Sequence, residues 1–340
     1  MAAINRRSFL GTAASAGIGA AAMGAAPAEA GDLSRRLPRE VWIATISMNG
    51  LTASNYKEMI DRLLERMGET VPMQPDIVCV PETGPFVNLD TPFPGVEAVA
   101  ETPPGPISSR FAGFAKEHNC YVWCPIYTRE NGRCYNSLVL FDRRGDVVGE
   151  YRKMHTTIGE MNAGVSPGPL DPPVFETDFG RVGAQICFDI EWLDGWRKLH
   201  QKGAEIVFWS SAFGGGRKVN MLANMFHYVV ASSTIKGVTQ IADFSGEALA
   251  WTGVWEKWCC APVNLEKAFL HSWPYTAKFN DIRKKYGQAV RLTTFHDEEW
   301  SIIESVHPDV KVADIMAEFE LKTYDQTVGD ATKMQVERRG

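Results

Sequence analysis

Between residues 41 and 263 short apolar runs alternate with longer segments whose apolar residues recur every three or four positions. Residues 41–48, 76–81, 121–127, 135–141, 147–151, 180–188, 205–209, 238–244 and 259–263 read as strands. Helices are expected over 54–69, 106–118, 193–202 and 221–232. In the first of these, Tyr56, Ile60, Leu63, Leu64 and Met67 share a face and Ser54 stands where a cap belongs. Strands that alternate with amphipathic helices predict an α/β protein in which helices cover sheet faces. A domain is expected over residues 39–270. Residues 271–340 are more polar and less regular, with one clear helix near 310–321. They predict an extension without a core of its own, packed on the domain or on a partner subunit.

The remaining composition narrows the function classes. Of 340 residues, 45% are hydrophobic and 22% charged, too rich in apolar residues for a disordered chain. A net charge of −6 argues against a nucleic-acid surface. No run of residues is long and apolar enough for a spanning helix. The first 30 residues read as an address. Arg6-Arg7-Ser8-Phe9-Leu10 precedes a Gly/Ala-rich stretch and the small residues Ala28 and Ala30. This resembles a twin-arginine export signal cleaved before Gly31, although Asn5 and Gly11 depart from its usual pattern. It implies a periplasmic or secreted protein without a membrane anchor. The 7 cysteines are odd in number, and folding in a reducing cytosol before export disfavours a disulfide framework. His118, Cys120, Cys124 and Cys134 match no standard zinc spacing, so no metal and no cofactor are expected.

Three local patterns carry chemistry. Glu82 follows the buried run ending at Pro81. Lys153 and His155 follow the run 147–151, with Glu160 further on. Cys187 ends the run 180–188, just before a helix, where backbone N–H groups can lower a thiol pKa. Taken singly, these fit a surface acid, a solvated basic turn and a core cysteine. Taken together, an acid, a lysine and a cysteine each stand at a strand end, the usual place for catalytic groups in α/β folds.

This order resembles the nitrilase superfamily, the carbon–nitrogen hydrolases, over residues 39–269. Tyr151-Arg152-Lys153-Met154-His155 matches its Tyr-Arg-Lys-x-His pattern. Cys187-Phe188-Asp189 with Arg197 matches its Cys-x-Asp…Pro-Glu-x-x-Arg pattern, with Leu193 and Asp194 in place of Pro and Glu. Ser210-Ser211-Ala212-Phe213 and the Asn224…His227 segment are also similar to family motifs. The resemblance implies a four-layer α-β-β-α sandwich and a homodimer or larger homo-oligomer. It also implies roles: Cys187 as nucleophile, Glu82 as general base, Lys153 with the backbone N–H of Phe188 as oxyanion holders, and Glu160 as the acid that orients Lys153 and substrate. Asp189 and Arg197 are expected to pin the helix after the nucleophile. Phe86, Phe188, Glu191, Trp192, Trp209, Ser211 and Phe213 lie near the matched motifs as candidate pocket residues. Nitrilases of this superfamily usually carry Cys-Trp-Glu, so Cys187-Phe188-Asp189 favours an amidase, with a small-molecule amide as substrate. An N-carbamoyl hydrolase, a nitrilase, a Cys187/His155 hydrolase and a scaffold without turnover are the competing readings.

Overall fold

The structure is a computed structural model that describes residues 36–253 and 255–340. The export signal expected over residues 1–30 lies outside the described residues. In chain order the strands are β1 (Glu40–Ile46), β2 (Ile77–Cys79), β3 (Tyr121–Glu130), β4 (Arg133–Phe141), β5 (Val147–Arg152), β6 (Val174–Glu176), β7 (Arg181–Ile186) and β8 (Ile206–Ser211). They continue with β9 (Val229–Thr234), β10 (Gln240–Ala242), β11 (Ala248–Trp251), β12 (Trp258–Asn264), β13 (Lys267–His271), β14 (Val290–Phe295) and β15 (Trp300–Ser305). The helices are α1 (Tyr56–Gly68), α2 (Val96–Val99), α3 (Ser108–Glu117), α4 (Ile158–Asn162), α5 (Leu193–Gln201), α6 (Arg217–Phe226), α7 (Thr276–Tyr286), α8 (Val312–Glu318) and α9 (Tyr324–Arg339).

Two six-stranded sheets form, in the orders β12-β1-β2-β3-β4-β5 and β11-β10-β9-β8-β7-β6. Each has three parallel strands at its centre, β1-β2-β3 in one and β7-β8-β9 in the other. Parallel neighbours need crossovers, which α1, α3, α5 and α6 supply. Strand alternation then sorts the side chains. Val41 and Ile43 of β1, Trp123 of β3, and Ile206 and Phe208 of β8 meet in the core between the sheets. Their sequence neighbours point the other way: Ala44, Ile46 and Val122 pack under α1 and α3, while Val207 and Trp209 pack under α5 and α6. The result is a four-layer α-β-β-α sandwich.

Several boundaries differ from expectation. Asn55, not Ser54, caps α1, accepting hydrogen bonds from Lys57 N and Glu58 N. The helix expected over 221–232 stops at Phe226, because His227 takes a left-handed backbone (φ 52°) and the β-branched pair Val229-Val230 opens β9. The strand expected over 180–188 stops at Ile186. The C-terminal region also corrects the sequence reading. A third sheet, β13-β15-β14, packs with α7 and α8 around Leu270, Phe279, Ile282, Ile303 and Ile315. Its apolar residues are sparse in sequence but converge, since each short element contributes only one face.

Candidate active site

Glu82, Lys153 and Cys187 each follow the C-terminal end of a strand, namely β2, β5 and β7. The first two belong to one sheet and the third to the other. Buried hydroxyls tie the sheets together beside them: Ser210 Oγ donates to Val80 O at 2.8 Å and Ser233 Oγ to Cys79 O at 2.9 Å. The three side chains therefore meet at the rim of the seam between the sheets.

Lys153 is the centre of the cluster. Its side chain is 1% exposed, and Nζ donates to Glu82 Oε1 at 2.7 Å and to Glu160 Oε2 at 2.8 Å. Burial alone opposes the ammonium, but the charges of Glu82 and then Glu160 outweigh it and hold the Lys153 pKa above its ordinary value. Glu160 is fixed from two sides. It sits in the first turn of α4 and completes a capping box with Thr157, each backbone N–H bonded by the other's side chain. Burial pushes its carboxyl pKa up. Lys153, the Thr157 N–H and Asn136 pull it down by more, so it lies below the ordinary carboxylate range. The other carboxylate oxygen of Glu82, Oε2, accepts from Ala212 N at 3.1 Å.

Cys187 opens a 3-10 turn, Cys187–Glu191, with a left-handed backbone (φ 45°) that a side chain rarely adopts. Such strain persists only where the surroundings impose it. Here Trp209 Nε1 donates to Cys187 O at 3.1 Å. The fully buried Asp189 accepts from Ile186 N at 2.9 Å and from Tyr151 Oη at 2.7 Å. Its other oxygen accepts from His155 N at 2.8 Å. Asp189 thus joins the Cys187 turn to the segment after β5. Arg197, expected beside it, lies on the exposed face of α5 and makes none of the ion pairs found among the described residues; Trp196 Nε1 bonds Asp189 O instead. Burial, then the Glu82 charge, pushes the Cys187 thiol up to about 12, against smaller pulls from Lys153 and the Ala212 N–H. A thiol raised in this way becomes a nucleophile only once a base takes its proton.

The candidate pocket residues divide. Phe86 is buried against Tyr127 at 5.4 Å between ring centroids, and Tyr127 feels the charges of Glu82 and Glu160. Phe188 is half-buried and meets Trp192 edge-on at 4.9 Å. Trp192 is 40% exposed and stacks on His155 at 4.4 Å. Phe213 packs edge-on against Trp209, which is itself fully buried and faces α5 and α6. Ser211 is also fully buried; its Oγ accepts from Phe213 N at 3.0 Å and caps the turn after β8 rather than lining a pocket. Glu191 is held on the surface by Lys218 Nζ at 2.6 Å. His155 Nδ1 donates to Asp189 Oδ1 at 3.0 Å, and that bond first, against burial, raises its pKa above the ordinary value. Its ring is occupied by Asp189 and Trp192, which does not favour a Cys187/His155 pair.

Sequence reasoning missed Asn136. It is buried on β4, and Nδ2 donates to Glu82 Oε1 at 2.9 Å and to Glu160 Oε1 at 2.7 Å. The available signal was an amide in the middle of an apolar strand, where Asn is depleted. Among the described residues no group of three or more His, Cys, Asp or Glu side chains has metal-holding geometry. Cys120 and Cys124 pack in the core under α3, and Cys134 in a separate cluster.

Comparison with known proteins follows the geometry. A citrullinase from Francisella tularensis is 24% identical over 185 residues, 52% of this chain and 62% of that protein. An N-carbamoylputrescine amidase from Solanum lycopersicum is 26% identical over 153 residues, 44% of this chain and 48% of that protein. The matched stretches thus span about half the length of these relatives. Among solved structures, an amidase from Nesterenkonia sp. superposes with a TM-score of 0.58 at 17% identity, covering 66% of this chain and 90% of that one. Saccharomyces cerevisiae Nit3, of the nitrilase superfamily, superposes with a TM-score of 0.57 at 17% identity, covering 74% and 96%. At these identities the superpositions show a shared fold. Residues 42–233, more than half of the chain, match the carbon-nitrogen hydrolase family, and the chain belongs to it.

Proposed function

We propose that the protein is an exported thiol amidohydrolase that cleaves a non-peptide C–N bond of a small amide. The observation that supports this most is the shared hold of one buried ammonium, Lys153, on two carboxylates at the strand ends where Cys187 also stands. Glu82 takes the Cys187 proton, and Sγ attacks the amide carbonyl carbon. The oxyanion is held by Lys153 Nζ and the Phe188 N–H, a preorganised arrangement worth several kcal/mol. Glu82 passes the proton to the leaving nitrogen, the C–N bond breaks, and a thioester remains on Cys187. A water then gives its proton to Glu82 and attacks the thioester carbonyl; the acid leaves, and the thiolate recovers the proton from Glu82. Glu160 orients Lys153 throughout. The working unit is a homodimer or larger assembly.

A ureido group is the second reading, favoured by the relatives named citrullinase and N-carbamoylputrescine amidase. The test is ammonia release by the purified protein from aliphatic and aromatic amides, N-carbamoyl amines and amino acids, and nitriles. Release is expected from the amide or ureido compounds and is expected to fall to background in Cys187→Ala. Absence of both ammonia and an acyl adduct on Cys187 by intact mass would instead mark a scaffold without turnover.

A further inference from the structure

Glu82 has two carboxylate oxygens, and they are not equivalent. Oε1 accepts from Lys153 Nζ at 2.7 Å and from Asn136 Nδ2 at 2.9 Å. Among the described residues, the one backbone or amide donor to Oε2 is Ala212 N at 3.1 Å. An oxygen whose in-plane lone pairs are both taken is a poor place for an incoming proton, whereas Oε2 keeps one free. Asn136 makes the difference between them.

Two features fix Asn136 in this role. Both of its Nδ2 protons are spent, one on Glu82 and the other on Glu160. Ionised carboxylates only accept, so the amide cannot be turned over without setting acceptor against acceptor. The second feature is its own carbonyl oxygen, Oδ1, which is buried and finds no hydrogen-bond partner among the described residues. A side chain serving only to fill this space would be apolar, since a buried acceptor left unpaired works against folding. The residue is organised around its two N–H groups. Its position is set by the ladder: Asn136 O accepts from Lys153 N at 2.9 Å, so amide and ammonium stand side by side on neighbouring strands.

We propose that Asn136 is a positioning residue that closes Oε1 of Glu82 and directs the Cys187 proton to Oε2, while tying Glu82 to Glu160. The proton leaves Sγ and forms an O–H bond at Oε2. The sulfur keeps the electron pair with which it attacks. Once Glu82 is neutral, its attraction to Lys153 weakens. The hydrogen bond from the uncharged amide does not depend on that charge, so Glu82 stays aimed until it releases the proton. This rests on the reading of Glu82 as the base for Cys187.

The experiment measures the rate of Cys187 alkylation by iodoacetamide against pH, beside kcat and KM on the best substrate of the panel. It uses wild type, Glu82→Gln, Asn136→Leu and Asn136→Ser, with Cys187→Ala as background. Asn136→Leu is expected to displace the acid limb of both profiles, because Oε1 of Glu82 loses a donor and opens to the incoming proton. It is expected to lower kcat by about 10- to 100-fold with little change in KM. Asn136→Ser keeps one donor and should fall between; it decides the matter if the leucine variant does not fold. A lower melting temperature with the wild-type limb unmoved would overturn the proposal. Alkylation that is the same in Glu82→Gln as in wild type would overturn the base assignment itself.

Discussion

The Lys153 ammonium, 1% exposed, sits between two carboxylates, and its contribution depends on pH at both ends of the scale. Glu160 is held below its ordinary 4.5, so its stabilisation is whole above that value and drains as pH falls toward the lowered one. Lys153 is held above its ordinary 10.5, so its contribution is whole below that value and is lost as pH climbs toward the raised one. The cluster is at full strength between these limits. Lys153→Met leaves the buried Glu82 and the half-buried Glu160 without their counter-charge, at an expected cost of about 3–5 kcal/mol at pH 8. The cost should shrink toward pH 4, as Glu160, no longer held down by Lys153, takes up its proton. Denaturant unfolding at the two pH values checks this; an equal loss at both would mean that packing, not charge, is what Lys153 supplies. At this scale the sequence was most readable where a reactive side chain directly follows an apolar run, as at Glu82, Lys153 and Cys187. Asn136 and the left-handed backbone of Cys187 were not, because one is a polar residue within a strand and the other is a torsion imposed by Trp209 and Asp189.

Among the elements, strands were more legible than their ends. The runs that became β1, β3, β4 and β8 announce themselves by apolar density, and Asn131-Gly132 marks the β3–β4 hairpin with two positive φ values. The α6–β9 junction was hidden, since apolar residues continue at helical spacing from Leu222 through Val230 and only the backbone at His227 interrupts them. The C-terminal helix presents another case. None of the residues of α9 is buried, and its hold on the rest of the domain is its first turn. Tyr324 lies 5.0 Å from the His227 ring and 5.8 Å from Phe269, centroid to centroid. Asp325 Oδ2 lies 3.3 Å from His200 Nε2 and Oδ1 3.6 Å from His227 Nδ1. A helix anchored at one end frays from the other. Asp325→Ala is therefore expected to speed amide exchange throughout α9 while α1 and β7 stay as protected as before. Hydrogen–deuterium exchange followed by mass spectrometry reads this directly; an unchanged α9 would leave the Tyr324 contacts as sufficient anchors.

For the whole molecule, the expected export and assembly are measurable together. Protein recovered from the periplasm or medium should begin at Gly31 by N-terminal mass analysis, and Arg6→Lys combined with Arg7→Lys should retain it in the cytosol. Light scattering of the recovered protein should give at least twice the chain mass of 37.7 kDa, less the signal. A single-chain mass would refute the oligomer, and an uncut N-terminus outside the cytosol would refute the signal. The layered plan has one more consequence. Glu82 and Lys153 belong to one sheet and Cys187 to the other, and the Ser210 and Ser233 hydroxyls, the Asp189 bonds to Tyr151 and His155, and the packed seam bring them within reach. A nascent or half-folded chain carries its Cys187 sulfur apart from Glu82. On the proposed mechanism turnover should report closure: a chain that hydrolyses substrate has docked its two halves, and one that has not should be chemically silent.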